Sequence, residues 1–316
     1  MKYRMLAHSV LGKKYEEMGW GCQDSSGCAE LNDLQVIAVA DGHGSNDCFR
    51  SAIGSKLAVE LTLQQAKRAF SPLGTNDFTE TSIRNFKYAL WTKWRNLVKK
   101  HWINHFNDLS DELRYQSVSE KYKTHYTSED ETEREKYLYR AYGTTLICAI
   151  SIGHQVLLLQ VGDGTGIVLA ECGQFIAPIP KDEDNFLNIS FSLCDVNEEN
   201  ADEKTRHFVL DYADTDMSPI AVFLSSDGLD DCYPYENNEQ YLYKYVYQKI
   251  VKYIVENGYE VAASEIKNNL LSYMSNKSSH DDISLACFVT CDDALLKETN
   301  EKIATFIDEM GTDDIV

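Results

Sequence analysis

The chain has 316 residues, 43% of them hydrophobic and 25% charged, which is enough for one large domain or two ordinary ones around a full core. Fifty acidic against 30 basic residues give a formal net charge of -20, a surface that repels phosphate backbones and anionic headgroups, so nucleic acid and membranes are set aside as partners. Nine scattered cysteines with no Cys-x-x-Cys pair suit a reducing compartment; with no apolar leader in "MKYRMLAHSVLGKKYEEMGW" and no bilayer-length apolar run, a cytoplasmic location is expected.

In chain order, the first clear strand is Leu34–Ala40, which ends abruptly in Asp41-Gly42-His43-Gly44. Asp-Gly alone signals a turn, since both residues tolerate positive φ. Apolar residues then recur at helical spacing over residues 47–106. Residues 109–137 are polar, charged and poor in aliphatics, and read as an exposed excursion between helix and strand. Short β-rich runs follow at 144–152, Gln155–Val161, 167–170, 208–211 and 220–225, then helical spacing over 241–258 and 259–275, then a last strand at Ile283–Thr290. The tail, 293–316, places Leu295, Leu296, Ile303, Phe306, Ile307 and Met310 on one side of an acidic amphipathic helix, which is expected to dock on the same domain. Helices gathered in blocks, instead of alternating with strands, argue for an α+β fold of hairpin-connected antiparallel sheets covered by helices.

Four of the apolar strands carry an acid at one end. Asp41 follows the first, Asp163 stands in "VLLLQVGDGTG", Asp227 and Asp231 in "IAVFLSSDGLDD", and Asp281-Asp282 lead into the last strand. Gathered at one edge of packed sheets, such carboxylates need a compensating charge, and a divalent cation supplies it. An oxygen-only donor set favours Mg²⁺ or Mn²⁺ over zinc. Two metals sharing a bridging carboxylate can hold and deprotonate a water, which suits attack on phosphorus, and His43 beside the bridging acid could protonate the departing alkoxide.

These motifs together resemble the metal-dependent type 2C protein phosphatases, which act on phosphoserine and phosphothreonine. "VADGHGS", "YGTTLICAI", "VGDGTG", "LSSDGLDD" and "HDDISL" stand in the family's order over roughly residues 8–290, "GWGCQDSS" is similar to its early motif, and "DEDNFLNISF" to a stretch of its bacterial-type branch. The resemblance implies a four-layer sandwich, two antiparallel β-sheets packed face to face with helices on both outer faces, formed by residues 1–292 with a flap-like segment at 174–218. It implies a protein serine/threonine phosphatase in which a water bridging two Mn²⁺ or Mg²⁺ ions attacks in line. Asp41 would bridge the metals, Asp227 and Asp281 would complete the first one's ligands, and the Gly42 carbonyl would serve the second. Asp163 and Asp231 match the acids that hold a third, weaker metal in many members, Asp24 is a further metal-site candidate, and His43 matches the general acid. The implied partner is a phosphoprotein substrate of a serine/threonine kinase.

The chain also departs from the pattern. Many members have an Arg before the early motif that grips the substrate phosphate; here Gly19 lies near that place, and Lys13 and Lys14 are the nearest basic residues. Asp282 stands where Asn is common, and Gly164-Thr165-Gly166 lacks the frequent Ser-Arg pair. Two other readings follow: a phosphatase-like regulatory module without turnover, and a hydrolase of small phosphoesters. His101 and His105, four apart on a helix, have the spacing of a metal pair but no Glu between them, and read as an ordinary helix face. Cys22 reads as a structural thiol.

Overall fold

In the computed structural model of the protein, residues 1–70, 78–180, 191–213, 215 and 217–309 are described. They contain strands β1 (Tyr3–Val10), β2 (Ser25–Leu31), β3 (Leu34–Ala40), β4 (Leu146–Ile152), β5 (Gln155–Val161), β6 (Thr165–Ala170), β7 (Phe175–Ile176), β8 (Arg206–Asp211), β9 (Pro219–Ser225) and β10 (Ile283–Thr290). The strands form two sheets, ordered β1-β10-β9-β6-β7 and β2-β3-β4-β5-β8, and every pairing is antiparallel.

Successive side chains of a strand point to opposite faces, so a strand covered on both faces reads as an unbroken apolar run. This is the condition of β3, β4, β5, β6, β9 and β10, each buried along its whole length. One set of alternating residues, including Ile37, Ile147 and Leu158 from one sheet and Val168, Leu224 and Phe288 from the other, forms the core between the sheets. The other set faces helices. Val36, Cys148 and Leu157 join Phe86, Trp94 and Val98 on one outer side; Ile167, Phe223 and Leu285 join Tyr247, Val251 and Leu271 on the other. The four-layer α+β sandwich expected from the sequence is the architecture found.

The helices before β4 are α1 (Lys13–Glu17), α2 (Ser51–Phe70), α3 (Glu80–Asn104), α4 (Leu113–Gln116), α5 (Glu120–Tyr126) and α6 (Glu131–Leu138). Residues 109–137, read as an exposed excursion, are mostly exposed or half-buried but are folded into helices and anchored to the core. Leu109, Val118 and Tyr126 are buried and join the cluster of α2 and α3, and Phe49 meets Tyr115 and Tyr126 edge to face. Aromatic residues supply the contact area that the missing aliphatics do not. A buried ion pair fastens the segment: Arg50, fully enclosed, is bonded to Glu112 and donates to Tyr142 Oη at 2.9 Å and to the His105 carbonyl at 2.8 Å.

His101 and His105 stack on each other at 4.3 Å, with His101 Nδ1 on Tyr142 Oη and His105 Nδ1 on Asp108. Burial first, then the charge of Arg50, lowers the His101 pKa to about 4. The unfolded chain binds that proton near pH 6.5 and the folded chain only near pH 4, so this group costs stability as pH falls through that window. His101→Gln is expected to flatten the fall in melting temperature between pH 6.5 and about 4, as read by thermal melts of both proteins.

The final helix, Asp293–Glu309, docks on its own domain: Leu296 and Ile303 are buried against the second outer layer and Phe306 lies 6.4 Å from Phe175. Met310 and most of "DEDNFLNISF" lie outside the described residues, as does part of the flap-like segment 174–218. No described helix is long and apolar enough to cross a membrane.

Candidate active site

Strand register brings the acids of each sheet to one end, and the turn from β5 to β6, which carries Asp163, joins the two sheets there. Ala40 pairs with Ser25, the residue after Asp24, so Asp24 and Asp41 are neighbours across β2 and β3. Gly42 bridges Thr144, and Leu146 at the start of β4 pairs with Val161, two residues before Asp163. Ser225, two before Asp227, pairs with Thr165 on one side and Leu285 on the other, which sets Asp163, Asp227 and Asp281-Asp282 at the same end.

Each acid is held by local structure. Asp41 N donates to Thr145 Oγ1 at 3.0 Å, while Thr144 Oγ1 and Thr145 N both donate to the Asp41 carbonyl at 2.8 Å. A Cβ on Gly42 would sit 2.3 Å from the Gln23 carbonyl, so only glycine lets these two main chains approach. Gly42→Ala is expected to lower stability by about 1–3 kcal/mol through this clash, measurable by denaturant melts. Asp227 opens a short helical turn after Ser226, and Asp231 N donates to its carbonyl at 2.8 Å. A π-helical turn, Ser275–Ser279, ends in left-handed His280, and Ser275 Oγ then holds the Asp281 carbonyl at 2.8 Å. Asp282 turns inward and accepts from Gly12 N and Gln23 N, both at 2.6 Å, which ties the early motif to the last strand.

The electrostatics follow from this crowding. Burial, then Asp24, raises the Asp41 pKa well above the carboxylate range, with Asp163 and Asp281 adding to it. Burial, then Asp41, does the same to Asp227, with Asp163 and Asp231 also contributing. Asp24 is raised by burial and by Asp282, and its Oδ2 is buried with no hydrogen-bond partner among the described residues. Among the described residues no three His, Cys, Asp or Glu side chains close on one point as a finished metal shell. The residues nonetheless fit a hard divalent cation: the donors are oxygens only, they repel one another, and one is orphaned. Burial lowers the His43 pKa. Burial, then Asp24, raises that of Cys22, which disqualifies it as a nucleophile.

Sequence reasoning missed the wall facing these acids. Tyr15 stacks on Trp20 at 5.8 Å, and Arg114 lies over the Trp20 ring at 4.5 Å. Lys14, noted in the sequence, is 3.8 Å from Asp281. Arg114 was hidden because its segment reads as solvated, and only its folding onto Phe49 and Arg50 brings it here.

The protein phosphatase 2C sequence profile matches residues 11–282. The chain belongs to the protein phosphatase 2C family. By that membership it is a protein serine/threonine phosphatase. Among solved structures it is similar to the serine/threonine phosphatase of S. agalactiae, at 14% identity and TM-score 0.55 over 92% of this chain and 100% of that one. It is also similar to PppA of Pseudomonas aeruginosa, at 16% identity and TM-score 0.54 over 92% and 98% of the two chains. A C. elegans sex determining protein shares the fold at 13% identity and TM-score 0.54, over 95% of this chain and 68% of that one. No curated protein matches by sequence.

Proposed function

We propose that this phosphatase is Mn²⁺- or Mg²⁺-dependent and removes phosphate from phosphoserine and phosphothreonine placed on proteins by a serine/threonine kinase, acting in the cytoplasm. The observation that carries the metal assignment is the convergence of Asp24, Asp41, Asp163, Asp227 and Asp281 at one end of the two packed sheets, with pKa values raised at Asp24, Asp41 and Asp227. Asp41, Asp227, Asp281 and the Gly42 carbonyl would hold two cations, Asp163 and Asp231 a third, with Asp24 beside them. Bound there, the cations supply the positive charge that stabilises the attacking and leaving oxygens of an in-line displacement at phosphorus.

The chain's own groups do the rest. Asp41 and Asp227 orient the nucleophilic water; its oxygen forms the new bond to phosphorus as the bond to the seryl or threonyl oxygen breaks. His43, as imidazolium, delivers a proton to that departing oxygen and is recharged by the proton the attacking water gives up; burial makes it a stronger acid and leaves less of it charged at neutral pH. No covalent phosphoenzyme is expected. Residues 1–292 form the catalytic unit, with the helix Asp293–Glu309 appended to it.

The test is release of phosphate from a phosphothreonine peptide with Mn²⁺, beside an EDTA control. Activity that requires the metal and exceeds that on small phosphoesters supports the assignment. Activity that survives EDTA removes the metal from it, and a preference for small esters moves the substrate class.

A further inference from the structure

Beside the cations proposed for the acid cluster, a chain of net charge -20 gains from a positive side chain that orients a phosphate dianion. The N-terminal place where a phosphate-gripping Arg would stand is occupied by Gly19, beside Trp20. The cations near the acids are mostly engaged: Lys14 lies by Asp281, Arg140 is bonded to Asp47, and Arg50 to Glu112.

Arg114 differs from these. Its guanidinium stacks on the Trp20 ring at 4.5 Å, so it lies against the residue next to that empty place. Nη1 donates to Ser51 Oγ at 2.8 Å, and Nη2 lies 3.2 Å from the Ser45 carbonyl and 3.4 Å from that of His43. These contacts aim it at the Asp41-Gly42-His43-Gly44 loop. It forms no ion pair among the described residues, and its Nε is buried without an acceptor. Nη1 keeps a second hydrogen beyond its bond to Ser51 Oγ, and Nη2 reaches its two carbonyls only at 3.2 and 3.4 Å, so these two groups can turn to a ligand. Two residues earlier, Glu112 is pinned to Arg50, so the helix that carries Arg114 is fixed in place.

We propose that Arg114, delivered from the helical segment between α3 and β4, grips the phosphoryl oxygens of the substrate in place of the absent N-terminal Arg. Nη1 and Nη2, side by side on the guanidinium, match two phosphate oxygens once the 3.4 Å contact to the His43 carbonyl is released, and Trp20 holds their plane. The inference rests on the phosphatase reading for its substrate, but its probe is inorganic phosphate, whose binding needs no turnover.

The experiment is calorimetric titration of Mn²⁺-loaded protein with inorganic phosphate, alongside KM for a phosphothreonine peptide, for wild type, Arg114→Ala, Arg114→Lys and Arg206→Ala. Arg206 is the rival cation, since its Nη2 donates to the Gly162 carbonyl at 3.1 Å, beside Asp163. Arg114→Ala is expected to weaken phosphate binding and raise KM by about 10- to 100-fold, with Mn²⁺ stoichiometry unchanged. Arg114→Lys, which keeps the charge and the packing on Trp20 but not the fork, should fall between; it carries the test if the Ala variant does not fold. Phosphate binding unchanged in both Arg114 variants, lost instead in Arg206→Ala, or absent from wild type overturns the proposal. Phosphate binding that depends on Arg114 without peptide turnover upholds the anion site and sinks the phosphatase reading alone.

Discussion

Asp227→Asn is expected to move activity and stability in opposite directions. Turnover should fall by at least about 100-fold, because a ligand is lost that even supporting groups around metal sites rarely fail to match in effect. The metal-free protein should become more stable. Burial and the neighbouring Asp41 hold the Asp227 carboxyl above its ordinary range. A carboxyl with a raised folded pKa contributes stability below its unfolded value of about 3.9 and loses it as pH rises through the folded value. At neutral pH, without metal, the wild type therefore carries a repulsive group that Asn removes. A gain of about 1–3 kcal/mol is the expected scale, worth about 2–4 °C per kcal/mol in melting temperature. Thermal melts in EDTA read it directly, and adding Mn²⁺ should reverse the ranking, since only the wild type has the full ligand set. A metal-free Asn variant that melts below wild type would mean that Asp227 is held by favourable contacts and is not strained against Asp41. An acid cluster that weakens the empty fold and is relieved by its cation is the stability–function trade-off expected of a working site.

How much of this was legible in the sequence depended on burial. Strands such as β3, β5 and β10 are enclosed on both faces, so their runs LQVIAVA, QVLLLQV and ISLACFVT stand out, and their ends match the sequence reading. Three of the four edge strands did not stand out. β2, SSGCAEL, is largely exposed and carries Ser, Gly and Glu, while β1, YRMLAHSV, is buried only at every third or fourth position or so, which mimics helical spacing. β7 is two residues long and owes its existence to pairing with β6. Thr144 and Thr145 were read as strand, but both hydroxyls and the Thr145 amide are spent on Asp41 and the Thr144 amide on Ser192 Oγ, so regular pairing begins at Leu146. The acids were legible because each ends or begins a conspicuous strand, and antiparallel register then brings those of each sheet to one end. Arg114 was not, since nothing local announces it. Its position is a consequence of Arg50, which reads as an ordinary helix-start charge until Glu112, 62 residues later, is seen to neutralise it inside the core.

That pair is the basis for the second large effect. Glu112→Ala is expected to destabilise the protein by about 3 kcal/mol, because the fully enclosed Arg50 guanidinium would lose its counter-charge while its other donors stay fixed on Tyr142 and the His105 carbonyl. Partial exposure of Glu112, 29% at its side chain, places the loss at the lower end of the range for buried pairs. The double variant Arg50→Met, Glu112→Ala should recover most of it, since an apolar side chain among Phe49, Trp102 and Tyr142 carries no stranded charge. Denaturant melts of the four proteins give the coupling energy, and additive losses would show that the ion pair is a bystander. The kinetic consequence separates anchoring from chemistry. Glu112 is two residues from Arg114 and is not one of the acids at the end of the sheets, so loosening its helix should raise KM for a phosphothreonine peptide more than it lowers kcat. A fall in kcat at constant KM would instead make the segment part of the acid cluster's own support, and would shift its role from holding the substrate to holding the site.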